Sequence, residues 1–328
     1  MIEKTNEFTY TPPYPIKEGT YFLCLDTTGF QAEVSAIMMI GTACWTGGKI
    51  IIKQWLNHTG FEQQMLLEAF LREIQNGHTV ITYYGGRFAL PFIEKKCQEY
   101  HLANPLPAFV SDDYYEIIHP LRKILGLSSC RQAALENYID YRRIIGLSGK
   151  KLVKTYQNYV KHPESSVAQS LLLHNQESLD VLLNLIPVFS YNDLFYGKIQ
   201  NCHVDASDPD GFTIHFELPY AILKPLHYQD ESMKLSVRDT IGCLHFSPDE
   251  ANQIKHYFQN PKDYYYLPVE DRAVHKSLAA FVPKEYKKKA DYHTCYEKIT
   301  IDHPSLKQPD SLNQLITDTI SYLLHTAK

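Results

Sequence analysis

Two groups of residues have types and spacing that bear directly on chemistry. Seven cysteines, at positions 24, 44, 97, 130, 202, 243 and 295, are odd in number and widely scattered. No C-x-x-C pair occurs among them, so neither a zinc knuckle nor a dithiol redox couple is expected, and reduced thiols in a cytoplasmic protein fit best. Lys284, Lys287, Lys288 and Lys289 form the clearest basic cluster, with Tyr264, Tyr265, Tyr266, Tyr286 and Tyr292 near them in sequence. Lysine beside tyrosine is the chemistry of a single-strand groove. A charge run is also the ordinary texture of a solvated face, and Glu285 and Asp291 dilute this one. The whole chain has 32 basic and 37 acidic side chains, for a formal net charge of -5. That balance excludes a strongly electrostatic nucleic-acid binder, so any such contact must be local.

The elements that must position these residues fall into two textures. A length of 328 residues with 44% hydrophobic and 21% charged side chains predicts about two domains, each burying its own core. Met1-Ile2-Glu3-Lys4 is not followed by the apolar core of a secretory signal. The longest near-apolar stretch, Val34 to Trp45, is well short of the roughly 20 residues that cross a bilayer. Strands are predicted at Tyr21–Asp26, Glu33–Trp45 and Lys49–Leu56, as an antiparallel meander with a hairpin at Thr46-Gly47-Gly48. Phe61–Ile74 has helical spacing, followed by a strand at Thr79–Tyr83, a helix at Phe88–His101, a short strand at Ala108–Val110 and a helix at Tyr114–Leu125. Cys130 to Phe195 reads as helices only. Short β-rich runs such as Gly211–Leu218 and Ser236–Phe246 follow, and a closing helix is expected at Ser311–Leu324. The expected organisation is an N-terminal extension over 1–20, an α/β domain over 21–197 and a smaller, β-rich α+β domain over 198–328.

This order resembles the RNase H-like fold, with a mixed five-stranded sheet flanked by helices. The run FLCLDTTGF at 22–30 resembles the first motif of the DEDD 3'-5' exonucleases, in which Asp-x-Glu-Thr-Thr-Gly ends the first strand. VITYYGGRFALPFI at 80–93 resembles the second motif, where a strand leads through Asn-Gly to Phe-Asp-x-Pro. LLHNQESLDVLLNL at 172–185 resembles the third, a helix with His or Tyr four residues before its Asp. The likeness is greatest to the YprB-like branch and extends through 111–127, 147–156 and, in the second domain, 264–277.

The resemblance implies four carboxylates holding two Mg2+ or Mn2+ ions about 3.5–4 Å apart, which polarise a water and stabilise the leaving oxygen. Here the first Asp position is Cys24, the Glu position is Asp26, the second-motif Asp is Ala89 and the third-motif Asp is Ser178. Cys24 is a soft ligand poorly suited to Mg2+, and in a strand it reads more simply as a small hydrophobe. Ala89 has no donor atom, and the Ser178 hydroxyl is neutral. Asp26 with His174, four residues before Ser178, is the catalytic remnant, and Asp26 alone could hold a metal weakly. Thr27, Thr28 and Gly29 carry over as substrate contacts, and Phe88 matches the second motif's Phe, either as core or as contact. Tyr84 replaces the motif's Asn and offers either a stacking face or a strand cap.

The expectation is therefore an exonuclease-like protein that has lost hydrolysis and retains binding of a single-stranded DNA or RNA end. Two rivals stand beside it. One is an active Mg2+- or Mn2+-dependent nuclease that recruits Asp113, Glu177 or Asp180, although the latter two lie about 100° and 200° round the helix from Ser178. The other is an interaction module with a filled cleft, which contacts a protein partner through the C-terminal domain.

Overall fold

The computed structural model describes residues 1–205 and 211–326. The chain forms two compact units, one of Met1–His119 with Cys130–Ile186, the other of Pro120–Ser129 with the chain from Pro187 onward.

The first unit is built on a six-stranded mixed sheet. Its elements are β1 (Ile2–Thr9), β2 (Thr20–Thr27), β3 (Ile37–Trp45), β4 (Lys49–Leu56), α1 (Gln63–Glu73), β5 (Thr79–Thr82), α2 (Ala89–Glu99), β6 (Val110–Asp113), α3 (Tyr114–Leu121), α4 (Gln132–Tyr138), α5 (Gly149–Lys161) and α6 (Ser165–Asn184). The strand order is β1-β4-β3-β2-β5-β6. The first four are mutually antiparallel, while β5 and β6 run parallel to β2. Side chains alternate faces along a strand. Tyr21, Leu23 and Leu25 of β2 therefore enter one core with Leu66 and Phe70 of α1 and Phe92 and Ile93 of α2. Met38, Met39 and Leu56 take part in another with Leu152 and Tyr156 of α5 and Leu171 and Leu172 of α6. Burial on both faces explains why β3 reads as a continuous apolar run rather than an alternation.

Three expectations need correction. Residues 1–20 are not merely an extension, because β1 pairs with β4 from Ile2↔Leu56 to Thr9↔Lys49 and makes the sheet six-stranded instead of five. Its sequence, IEKTNEFT, lacks apolar alternation because an edge strand half in solvent does not need it. The short strand expected at Ala108–Val110 lies instead at Val110–Asp113, after a single 3-10 turn at Leu106–Ala108. The units divide at Ile186/Pro187 rather than near 197. Tyr191 belongs with the second unit, since its buried hydroxyl exchanges hydrogen bonds with the backbone of Lys224.

The second unit contains α7 (Phe189–Phe195), β7 (Gln200–Val204), β8 (Phe212–Glu217), β9 (Leu226–Gln229), β10 (Met233–Arg238), β11 (Ile241–Phe246), β12 (Gln253–Tyr257), β13 (Tyr264–Leu267), β14 (Arg272–His275), α8 (Lys276–Ala279), β15 (Lys288–Lys289), β16 (Tyr296–Thr300) and α9 (Pro309–Thr326). A five-stranded antiparallel sheet runs β7-β8-β11-β10-β9, beside a β12-β16 pair and a three-stranded β14-β13-β15 sheet. The β-rich run over Ser236–Phe246 holds the end of β10 and all of β11, which form a hairpin turning at Asp239, whose φ is 52°. Among the described residues no helix is long and apolar enough to cross a membrane.

A buried ion pair ties α9 to the β12-β16 pair. His256 of β12 contacts Asp318 of α9 at 2.8 Å and Glu297 of β16 at 3.4 Å. Burial disfavours the charged imidazole, but hydrogen bonds and attraction from the two carboxylates win and push its pKa up to about 9. A pKa raised by folding stabilises fully below the unfolded value near 6.5 and is lost as pH climbs through about 9. Hydrogen exchange in β12, β16 and α9 is thus expected to be slowest below about pH 6.5 and to accelerate towards pH 9 and above, beyond the intrinsic pH effect. His256→Gln should abolish that pH dependence and cost roughly 2 kcal/mol at neutral pH, because Asp318 is left buried without its cation.

Candidate functional site

The alternation that sends Leu23 and Leu25 into one core turns Cys24 and Asp26 to the other face of the sheet, where α6 lies. On α6, His174 and Ser178 are one turn apart and share a face. Together with Phe88 and Ala89 at the start of α2, and with Arg143 from the segment between α4 and α5, these residues line an open cleft of about 550 Å³.

The polar framework of the cleft starts at Asn175, which is fully buried. Its amide nitrogen donates to Asp26 Oδ2 at 2.9 Å. Its oxygen accepts from Gln54 Nε2 at 2.9 Å, and the same Gln54 nitrogen donates to the Leu172 carbonyl at 2.7 Å. This approach needs a glycine opposite. Gly41 pairs with Cys24 in the β2-β3 register, and a Cβ there would stand 2.0 Å from Asn175 Oδ1. Burial lifts the pKa of Asp26 above the ordinary carboxyl range, against His174, the Asn175 amide and Arg143, which favour the anion. Burial, reinforced by the Asp26 charge, also pushes the Cys24 thiol up, so it remains protonated and is not a ready metal ligand.

Arg143 is the site residue that sequence reasoning missed. It lies in an irregular segment outside the three motif runs, and nothing in its spacing marks it. Its guanidinium reaches Glu136 of α4 through Nε at 3.0 Å and Nη2 at 2.7 Å, the His174 carbonyl through Nη1 at 3.1 Å, and Ser178 Oγ through Nη2 at 3.1 Å. Ser178 Oγ in turn donates to the His174 carbonyl at 3.2 Å. His174 Nδ1 lies 3.5 Å from the Ile145 carbonyl.

The acids that could have been recruited point elsewhere. Glu177 is buried and accepts the backbone N–H groups of Ile144 and Ile145, which fixes the segment that carries Arg143. Asp180 accepts from the Tyr141 hydroxyl at 3.4 Å. Asp113 accepts the N–H groups of Tyr84 at 2.7 Å, Tyr115 at 3.0 Å and Gly86 at 3.1 Å, so it caps α3 and clamps the turn after β5. None of the three lines the cleft. Among the described residues no group of three or more His, Cys, Asp or Glu side chains is arranged to hold a metal ion. A neutral thiol, an alanine, a serine engaged by a guanidinium and one carboxylate do not fit a pair of hard divalent cations.

Thr27, Thr28 and Gly29 follow Asp26 but are not part of the cleft wall. Thr27 Oγ1 donates to the Gly29 carbonyl at 2.7 Å, and Thr28 Oγ1 accepts the Ala36 N–H at 2.9 Å, so both hydroxyls hold the turn. Phe88 packs against the core and also forms part of the cleft wall. Its ring meets Phe30 edge-on at 5.9 Å, and Phe30 is 89% exposed.

A model of the RNase H superfamily matches residues 21–189, more than half of the chain. The chain belongs to the RNase H superfamily. No curated protein matches it. Among solved structures it is similar to the family B DNA polymerase of Pyrobaculum calidifontis, at 10% identity and a TM-score of 0.42, over 60% of this chain and 29% of the polymerase. It is also similar to Escherichia coli exonuclease I in its zinc-bound complex with single-stranded DNA, at 11% identity and a TM-score of 0.28, over 94% of this chain and 70% of that one. The third is exonuclease I of Methylocaldum szegediense, at 12% identity and a TM-score of 0.30, over 93% and 69%.

Asn175→Ala removes partners from a buried carboxylate and a buried amide at once. It is expected to destabilise the chain by about 1–3 kcal/mol in urea unfolding, whereas an exposed control on the same helix such as Gln169→Ala should change it by less than about 0.5 kcal/mol.

Proposed function

We propose that this protein holds the end of a single-stranded DNA or RNA in the cleft and does not hydrolyse it, as a pseudoenzyme of the YprB-like branch. One observation carries the reading: the cleft is open, yet the Arg143 guanidinium sits against Ser178, where the family's mechanism would need an anion and a metal. Asp26 and His174 stand as remnants of the catalytic set, and the assignment includes neither Mg2+ nor Mn2+. Thr27, Thr28 and Gly29 then act by shaping the turn beside the strand end rather than through free hydroxyls. Phe88 offers its ring to the terminal base or sugar.

The rival nuclease is disfavoured because Asp113, Glu177 and Asp180 are each bonded away from the cleft. The interaction module with a filled cleft is disfavoured because Cys24 and Ala89 border open space and Tyr84 is exposed. Seven scattered cysteines without a C-x-x-C pair support a cytoplasmic assignment.

The test uses end-labelled single-stranded DNA and RNA with Mg2+ or Mn2+, and fluorescence anisotropy over a salt series. Wild type is expected to bind with an affinity that falls steeply with salt, by a log–log slope of about −0.7 per phosphate contact, and to leave the strand intact. Salt-insensitive binding, or cleavage that Asp26→Ala abolishes, would overturn the reading. The fourfold variant Cys24→Asp, Asp26→Glu, Ala89→Asp, Ser178→Asp is expected to gain metal-dependent cleavage.

A further inference from the structure

Beside the cleft, the turn after β5 presents an aromatic group that holding a strand end does not by itself use. Tyr84 has a φ of 61°, in the left-handed region that large side chains rarely occupy and where Asn, Asp or Gly would sit more easily. Asp113 maintains this conformation through its bonds to the N–H groups of Tyr84 and Gly86. Tyr84 is 42% exposed and stands outside the two apolar clusters described above.

Its neighbours brace it. Tyr115 of α3 meets it edge-to-face at 4.8 Å, with the ring planes 81° apart. The Arg87 guanidinium lies 5.8 Å from the Tyr84 ring and 5.2 Å from the Tyr115 ring. Glu116 pairs with Arg87 at 3.1 Å, holding it against the rings and offsetting its charge. His119, one turn along α3, stands 5.2 Å from Tyr115. The group is continuous with the cleft, because Tyr83 lines the cleft and its ring meets Tyr115 at 6.1 Å. Edge-to-face packing leaves an aromatic face open, and the paired guanidinium makes this surface one for flat π systems rather than for bare phosphates.

We propose that Tyr84, braced by Tyr115 and Arg87, is a stacking platform for an unpaired base of the strand whose end enters the cleft; this rests on the nucleic-acid reading above. Stacking of this kind tolerates any base, because every base has a π face. The strained backbone is the signature: Asp113 holds a conformation that would suit a smaller residue better, and what that conformation delivers is an outward ring.

The experiment is a cycle between Tyr84 and the nucleotide it would stack on. Anisotropy is measured with short oligothymidines carrying an abasic spacer at successive positions from the 3' end, on wild type, Tyr84→Phe and Tyr84→Asn. Asn suits the left-handed backbone and so removes the ring without straining the turn. Tyr84→Phe is expected to match wild type, and Tyr84→Asn to bind the unmodified strand about ten-fold or more weakly. At one abasic position wild type and Tyr84→Asn should bind equally, since the interaction has already been removed. Salt-dependent wild-type binding that Tyr84→Asn leaves unchanged, or weakens equally at every abasic position, overturns the platform while leaving the cleft reading in place. No binding by wild type overturns both.

Discussion

A single buried amide organises the cleft. Asn175 donates to Asp26 and accepts from Gln54, so the third-motif helix is fixed to the end of β2 and the middle of β4 by one side chain. Gly41 makes this approach sterically feasible, and the low exposure of the site raises the cost of leaving any member unpaired. With α6 held there, His174 and Ser178 line the same cleft as Cys24 and Asp26, and the Ser178 hydroxyl lies within hydrogen-bonding reach of the Cys24 thiol. The cleft owes its shape to a hydrogen-bond chain in which Asp26, Asn175 and Gln54 satisfy one another directly.

A second constraint runs through Glu177. Its carboxylate stands directly before Ser178, yet it accepts the N–H groups of Ile144 and Ile145. That bond fixes the irregular segment after α4, and the segment carries Arg143 to Ser178. Helix geometry makes the two roles exclusive: at about 100° per residue, a side chain that caps this segment cannot also point into the cleft.

Much of the first unit was legible because its signals are local. The meander reads directly from apolar runs and the Thr46-Gly47-Gly48 turn, and β2, β3 and β4 follow it closely, though β3 begins at Ile37 rather than Glu33. The motif frames bring Cys24, Asp26, Phe88, Ala89, His174 and Ser178, far apart in sequence, to one cleft. What escaped was whatever depends on a distant partner. β1 is too polar to announce itself, and its place is set only by β4. Arg143 is one of 32 basic residues until the fold delivers Glu136, His174 and Ser178 around it. Asn175 lies inside the run 172–185 and still gave no sign, because its partners Asp26 and Gln54 are far off in sequence and leave no period in it.

The charges on the cleft wall bear on what the proposed binding could attract. Four carboxylates with two divalent cations present a balanced charge to a phosphodiester; the same carboxylates without cations would repel it, each by about 3–4 kcal/mol at 4–6 Å in an effective dielectric near 20. At three of the positions that resemble the family's motifs this chain carries Cys24, Ala89 and Ser178, none of which is a carboxylate. Asp26 is pushed towards its neutral form by burial, and Arg143 supplies a cation whose partner Glu136 holds it at the wall. Losing carboxylates is damaging to a site that must bind metal, but for a site that binds a strand without metal the same losses remove its largest electrostatic penalty. Under the proposed reading, strand binding without metal, the open cleft and the small number of like charges on its wall serve the same end.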